Sequence, residues 1–463
     1  MELDIIFRIY SFFKGSFLRR ISFLYFFVHL CLLIALEGIT AFAPDEGNYK
    51  AIFNNLYNSG FSLDGYVGWT SPGSINFLRL LYLPAKVLNL IGFSEILSLR
   101  LLSILTTYIS LLLLLKINKG KFQTRKWNER LISFAFFIPT ILLWTTLSLR
   151  ESFILLFLVS IFYYIEAALN SQRMIYSLPL IFASAGLFLT KTYLYVLLLI
   201  GVIAALIVQL ILQKRNSSNS WLVIVSLVVP LALFPSMSKP MFYGAEWTIQ
   251  TLIFENRPPV LVPEASGPEA SGPEASGPAS TLVPIRGQTL HDLNSQIDQS
   301  PFLRWVAGKI GVREFLEAKT KMARVPGDSI EFSENRTQLQ KEPGLARNPL
   351  STAKAAINFL FIPAPFVDNG SFFLNIQSYE SFFWYVVYFL FLLLIIRLLQ
   401  GRYTLTLSSI AATFFCLGFI LLSALSEIND GTAVRHRSVL LFGFLVMVAV
   451  FRENDAHTRP AEA

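Results

Sequence analysis

Apolar runs of about twenty residues recur along this chain, and each is long enough to cross a lipid bilayer as a helix. Hydrophobic residues make up 54% of the sequence and charged residues 15%, and 42 positions are phenylalanine. A soluble core has no use for that much apolar surface. Within a bilayer every backbone N–H and C=O needs a protein partner, so only helices and closed barrels can span it. The short alternating segments of a membrane barrel are absent. The sequence therefore predicts an all-α polytopic membrane protein.

The net charge of +8 is read loop by loop, because Lys and Arg near span ends set orientation, and it is poor evidence for nucleic acid. Cys31 and Cys416 both fall in apolar runs, so no disulfide framework is implied. The stretch from Ile21 to Ala43 is too long for a signal peptide, and Pro44 would follow the cleavage-like Ala41-Phe42-Ala43, so the first span is read as uncleaved. The basic segment before it, with Arg8, Lys14, Arg19 and Arg20, reads as an interfacial helix on the cytoplasmic side.

About ten spans are expected, at 21–43, 97–115, 131–147, 153–169, 174–190, 193–212, 221–239, 379–396, 403–425 and 438–451. The loop from Lys116 to Arg130 carries six cations against Glu129 and should be cytoplasmic. Only one crossing then separates it from the first loop, so 75–93, with Arg79, Pro84 and Lys86, lies in the outer interface. Both termini come out cytoplasmic. The loops around Arg150, Lys191 and 426–437 come out on the outer side.

Three units follow: a membrane module with the first outer loop (1–239), a long outer segment (240–378), and a C-terminal membrane module with a tail (379–463). The outer segment holds three copies of Glu-Ala-Ser-Gly-Pro at 264–278, a composition with no apolar face to bury, which reads as a tether. The stretch 301–322 has helical apolar spacing suited to lying on the membrane or capping a cavity.

Chemistry is expected where the first span ends, in Ala43-Pro44-Asp45-Glu46-Gly47-Asn48-Tyr49. Carboxylates at the membrane boundary are hydrated enough to ionise, yet near enough to reach the head of a lipid-linked substrate. A general base must stand within hydrogen-bond reach of the proton it removes. The plainer reading is a polar loop that ends a helix.

A second signal is the cations Arg150, Lys191, Arg435 and Arg437, with His436 among them, at outer ends of spans where cations are disfavoured. Arg presents a planar fork and Lys a point charge to a phosphate. Each cation taken singly also fits snorkelling, or pairing with Glu151 or Asp430. Glu37, inside the first span, is either a functional acid or a packing residue paired with a cation such as Arg100. His291 and His457 fall in polar loop and tail. Phosphate-binding loops, dinucleotide fingerprints, nucleophile elbows and metal-ligand spacings are missing. Asp45 or Glu46 offers oxygen to a divalent cation, but ligand count makes no case for one, and no other cofactor is implied.

The Pro44-Asp45-Glu46-Gly47-x-Tyr49 run after a first span resembles the first-loop acidic motif of the GT-C membrane glycosyltransferases. The similarity is to the branch of protein O-mannosyltransferases, the aminoarabinose transferase acting on lipid A and lipopolysaccharide-core transferases. Gly92-Phe93-Ser94 and Leu99-Arg100-Leu101-Leu102-Ser103 resemble that branch as well. The segments 144–151 and 429–437 are similar to polytopic proteins of bacterial surface-polysaccharide clusters.

The resemblance covers about the first 115 residues, and beyond them rests mainly on topology. It implies a GT-C-like bundle with interfacial helices in the first outer loop and an active site at the outer face of the inner membrane. Asp45 would be the catalytic base, and Glu46 a supporting acid or metal contact. Tyr49 and the outer cations would bind substrate. The donor would be a polyprenyl-phosphate-linked sugar and the acceptor a glycan or lipid, in surface-polysaccharide synthesis. The chain departs from many members in lacking a clear compact C-terminal soluble domain. A polysaccharide polymerase or ligase, and a flippase of lipid-linked sugars, are the competing expectations.

Overall fold

The computed structural model describes residues 17–36, 44–58, 72–119, 125–171, 173–213, 218–233, 349–361, 365–366, 372–426 and 430–451. Glu37, Arg8, Lys14, the repeat at 264–278 and the stretch 301–322 lie outside the described residues. Within them the chain is helical, with no strand. Six helices are long and apolar enough to cross a membrane: α1 (Phe17–Ala35), α4 (Glu95–Lys119), α7 (Glu151–Ser171), α9 (Thr192–Gln213), α12 (Phe372–Leu399) and α13 (Leu407–Ser426). They mark a multi-pass membrane protein.

A seventh crossing results if α5 (Arg125–Ala135) and α6 (Pro139–Thr146) are halves of one span bent by 57°. Three more apolar helices are shorter: α8 (Ser177–Thr190), α10 (Ser218–Leu233) and the apolar part of α14 (Asp430–Val450). Where the residues are described, the ten expected segments overlap helices, but only six or seven helices have the length to cross. Outside this set are α2 (Pro44–Asn58) and α3 (Pro72–Leu90), between α1 and α4, and α11 (Pro349–Phe361). The last is a packed helix inside the segment expected to be loop.

Local chemistry explains the main boundaries. α4 starts where Ser94 Oγ accepts the Leu97 N–H at 3.4 Å, an N-cap, with Glu95 in the first turn against the positive end of the helix dipole. The α5–α6 break falls at Pro139, which has no N–H to donate and holds Ile138 extended at φ −61°, ψ 129°. Between α8 and α9 the backbone kinks at Lys191 (φ −152°, ψ 72°). On either side, the Thr190 and Thr192 hydroxyls donate back to the carbonyls of Gly186 and Phe188, at 2.7 and 2.9 Å.

α9 and α13 share the most extensive helix contact, and small residues permit it. A Cβ on Gly201 would lie 3.0 Å from the Ala411 carbonyl oxygen, and one on Gly418 would lie 2.6 Å from Leu197 Cδ1. These helices, with α4, α7, α8 and α14, form the main core. A smaller core joins α2 and α3 to the adjoining bundle end through Tyr49, Phe53, Phe77, Leu81, Leu99 and Phe153. Helices α2 and α3 thus form a packed cap on one end of the bundle.

Candidate functional site

The cap is fixed by one buried ion pair. Glu46, in the first turn of α2, is 0% exposed, and Arg100 of α4 is 3% exposed. Arg100 donates from Nε to Glu46 Oε1 at 2.9 Å and from Nη2 to Oε2 at 3.0 Å, the paired fork that guanidinium and carboxylate geometry favours. Its Nη1 donates to the carbonyl of Leu36, just past α1, at 3.2 Å. Ser148, in the bend between α6 and α7, donates from both its backbone N–H and its hydroxyl to Glu46 Oε1, each at 3.1 Å. One carboxylate therefore ties together α1, α2, α4 and the α6–α7 bend.

This geometry reassigns several expectations. Arg100 is paired with Glu46; the expected pairing of Glu37 with Arg100 falls outside the described residues. Glu46 already carries a guanidinium and a hydroxyl, and the cation beside it repels a metal ion, so it does not fit a metal contact in this arrangement. Tyr49 is 1% exposed and packs in the cap core, its ring 5.5 Å from Phe77, which makes it a packing residue rather than an open binding group. Asp45 sits in the first turn of α2, next to the clamp, and Arg435 in the second turn of α14; the side chains of both lie outside the described residues. No cluster of three His, Cys, Asp or Glu side chains suited to a metal ion occurs among the described residues.

Arg150 and Lys191 share the end of the bundle that carries the clamp. Arg150 stands two residues beyond Ser148 and donates from Nη1 to the Thr190 carbonyl at 3.5 Å. Its buried Nε–H has no hydrogen-bond partner among the described residues. Lys191, the next residue after Thr190, holds its ammonium 5.2 Å from the centre of the Tyr193 ring. Asn76 of the cap donates to the Leu189 carbonyl at 3.4 Å, so α3 reaches the same corner.

Arg437 belongs to a different cluster. It is 1% exposed and donates from Nε to the carbonyl of Phe359, in the last turn of α11, at 2.7 Å. Nearby, Glu380 of α12 accepts from the backbone N–H of Thr140 at 3.0 Å, from the Thr140 hydroxyl, and from Trp384 Nε1 at 3.1 Å. Two buried ionisable side chains thus stand at helix ends inside the bundle. One caps the N-terminus of α6, whose first N–H groups have no partner within the helix, and the other lies at the C-terminus of α11. His436 is half-buried, its ring 6.5 Å from that of Phe419.

Glu380 and His29 are among the buried ionisable residues that the sequence reading passed over. His29 lies within α1 and is 1% exposed. A single ionisable residue inside an apolar run was the available signal for each.

No known protein family matches this chain, and neither a curated protein nor a solved structure is similar to it.

Proposed function

We propose that the chain is a membrane glycosyltransferase that moves a sugar from a polyprenyl-phosphate donor to a glycan or lipid acceptor at the outer face of the cytoplasmic membrane. One observation carries this reading. Ser148 holds the acidic motif through Glu46, and two residues on, Arg150 keeps a buried N–H without a partner. An acid and a cation with donor capacity to spare are thereby coupled through one rigid bend.

In this reading Asp45 takes the proton of the acceptor hydroxyl as its oxygen attacks the anomeric carbon. The bond from that carbon to the phosphate oxygen breaks, and the departing phosphate is stabilised by Arg150 and Lys191. Glu46 and Arg100 position Asp45 and do not react. About ten crossings, counting α8, α10 and α14, and cytoplasmic termini complete the topology.

A flippase of lipid-linked sugars is the second reading. The broken α5–α6 pair and the buried Glu380 and Arg437 favour it, since transporters build sites from interrupted helices and internal charge. One preparation separates the two. Protein in liposomes is supplied with a panel of polyprenyl-phosphate sugars, and free polyprenyl phosphate is measured together with movement of the labelled lipid between leaflets. Release of polyprenyl phosphate that depends on Asp45 is expected. Lipid movement without release, unchanged in Asp45→Asn, would replace the transferase reading with the flippase.

A further inference from the structure

We propose that the groove between α1 and α4 that opens beside Arg19 holds an anionic phospholipid, its phosphate on the Arg19 guanidinium and one acyl chain laid along α1. The groove has a volume of about 610 Å³, within the range of roughly 300–1,000 Å³ typical of ligand cavities. The site is separate from the Glu46–Arg100 clamp and stands whether or not sugar transfer occurs.

Spacing in α1 builds the groove. Arg19, Phe23, Phe26 and Leu30 follow one another at intervals of four, three and four, so they share one face of the helix. The three apolar side chains are exposed, and Phe27 widens the strip, its ring stacked 6.1 Å from that of Phe23. From Arg19 to Leu30 the helix rises about 16 Å, roughly half the hydrocarbon thickness of a bilayer, which is the reach of one acyl chain from one leaflet. The opposite wall is Tyr108 of α4, whose ring centre is 4.7 Å from that of Phe26. Ser22 gives its proton to the Leu18 carbonyl at 2.8 Å, so the Tyr108 hydroxyl, 2.7 Å away, donates to Ser22. That bond ties α4 to α1, and the groove is formed before any ligand enters it.

Charge selects the occupant. Arg19 is exposed on the lining, and among the described residues nothing pairs with its guanidinium and no carboxylate lines the groove. Its planar fork of donors matches a phosphate. The contacts of Ser22 with Tyr108 and of Tyr25 with Ile104 run in opposite directions along the two helices. Arg19 therefore lies toward the end of α4 that leads into the basic loop from Lys116 to Arg130. A zwitterionic head would bring a cation of its own into that positive region, whereas an anionic head brings none. Basic clefts between membrane helices hold anionic head groups for this reason.

The test uses the full chain in nanodiscs and two probes, phosphatidylglycerol and phosphatidylcholine, that carry the same diazirine-bearing acyl chain. Crosslinks are mapped by peptide mass spectrometry. Phosphatidylglycerol is expected to label α1 between Ser22 and Leu30, and α4 around Tyr108, about fivefold more than phosphatidylcholine, the preference that one basic side chain near the surface carries. Arg19→Gln makes the two probes equal, and Arg19→Lys, which keeps the charge, retains the preference. Arg130→Gln removes an equal charge from α5 and leaves the preference in place. Equal labelling by both probes in the unaltered protein overturns the proposal, as does a preference that survives Arg19→Gln. Loss of the preference in Arg130→Gln as well would assign it to diffuse surface charge, and no labelling of α1 along this face would mean that protein covers the groove; either result also overturns the proposal.

Discussion

At the scale of the residue, the proposed mechanism gives the neighbours Asp45 and Glu46 different tasks. Glu46 is buried in a bidentate ion pair, and Asp45 is the proposed base. Asp45→Asn keeps the side-chain shape but removes the base, so sugar transfer from a polyprenyl-phosphate donor should fall by about 10²–10⁴-fold while donor binding survives. Turnover near that of the unaltered protein would remove Asp45 from the mechanism. The clamp predicts a different pattern. Glu46→Gln or Arg100→Met alone leaves one charge buried without its partner, a loss of about 3–5 kcal/mol that should appear as a lower melting temperature in detergent. The pair changed together, Glu46→Leu with Arg100→Met, should cost less than the two single changes added, because both charges are then gone. Additive losses would mean that the two residues do not act as one unit.

Elements meet here by two devices, small residues and charges at helix ends. Gly201 and Gly418 let α9 and α13 approach, and a Cβ at either position meets a neighbour at 3.0 Å or less. Gly201→Leu should destabilise the fold by about 1–3 kcal/mol or more, since the nearest atom is a backbone oxygen that cannot rotate away. Unchanged thermal stability in that variant would show that the helices do not pack this closely. The α5–α6 break shows the second device. Pro139 forces the interruption, and Glu380, 240 residues from Thr140, supplies the acceptor that the new helix end needs. Glu380→Leu removes that acceptor, so it should destabilise far more than Glu380→Gln, which keeps an oxygen facing Thr140. Equal effects would assign the contact to charge alone.

Over the whole molecule, the acidic motif and the basic loop lie at opposite ends of α4: Arg100 clamps Glu46 near its start, while Lys116 and Asn118 close it. A basic loop held in the cytoplasm would set the cap facing outward. In a background with Cys31 and Cys416 replaced, Ser94→Cys should label with a membrane-impermeant thiol reagent in intact cells. Arg130→Cys should label only after permeabilisation. Both positions are exposed, so the reverse pattern would invert the topology and move the proposed site to the cytoplasm.

The all-helical, membrane-spanning character and the approximate place of the long apolar helices were legible in the sequence, because they depend on local composition. A run of twenty apolar residues must pair its own backbone within a bilayer wherever it sits in the chain. The acidic motif and Arg150 were legible for a similar reason, since charge at a span end stands out against lipid. What only the tertiary structure decided is which charges meet. Glu46 found Arg100 at a separation of 54 residues and Ser148 at 102, and Arg437 was set apart from Arg150 by its contact with α11. Residues along a span repeat every 3.6 positions, so sequence fixes the depth of a side chain far better than the neighbour it faces. Partner choice depends on helix rotation and crossing, and those follow from packing among all the helices at once.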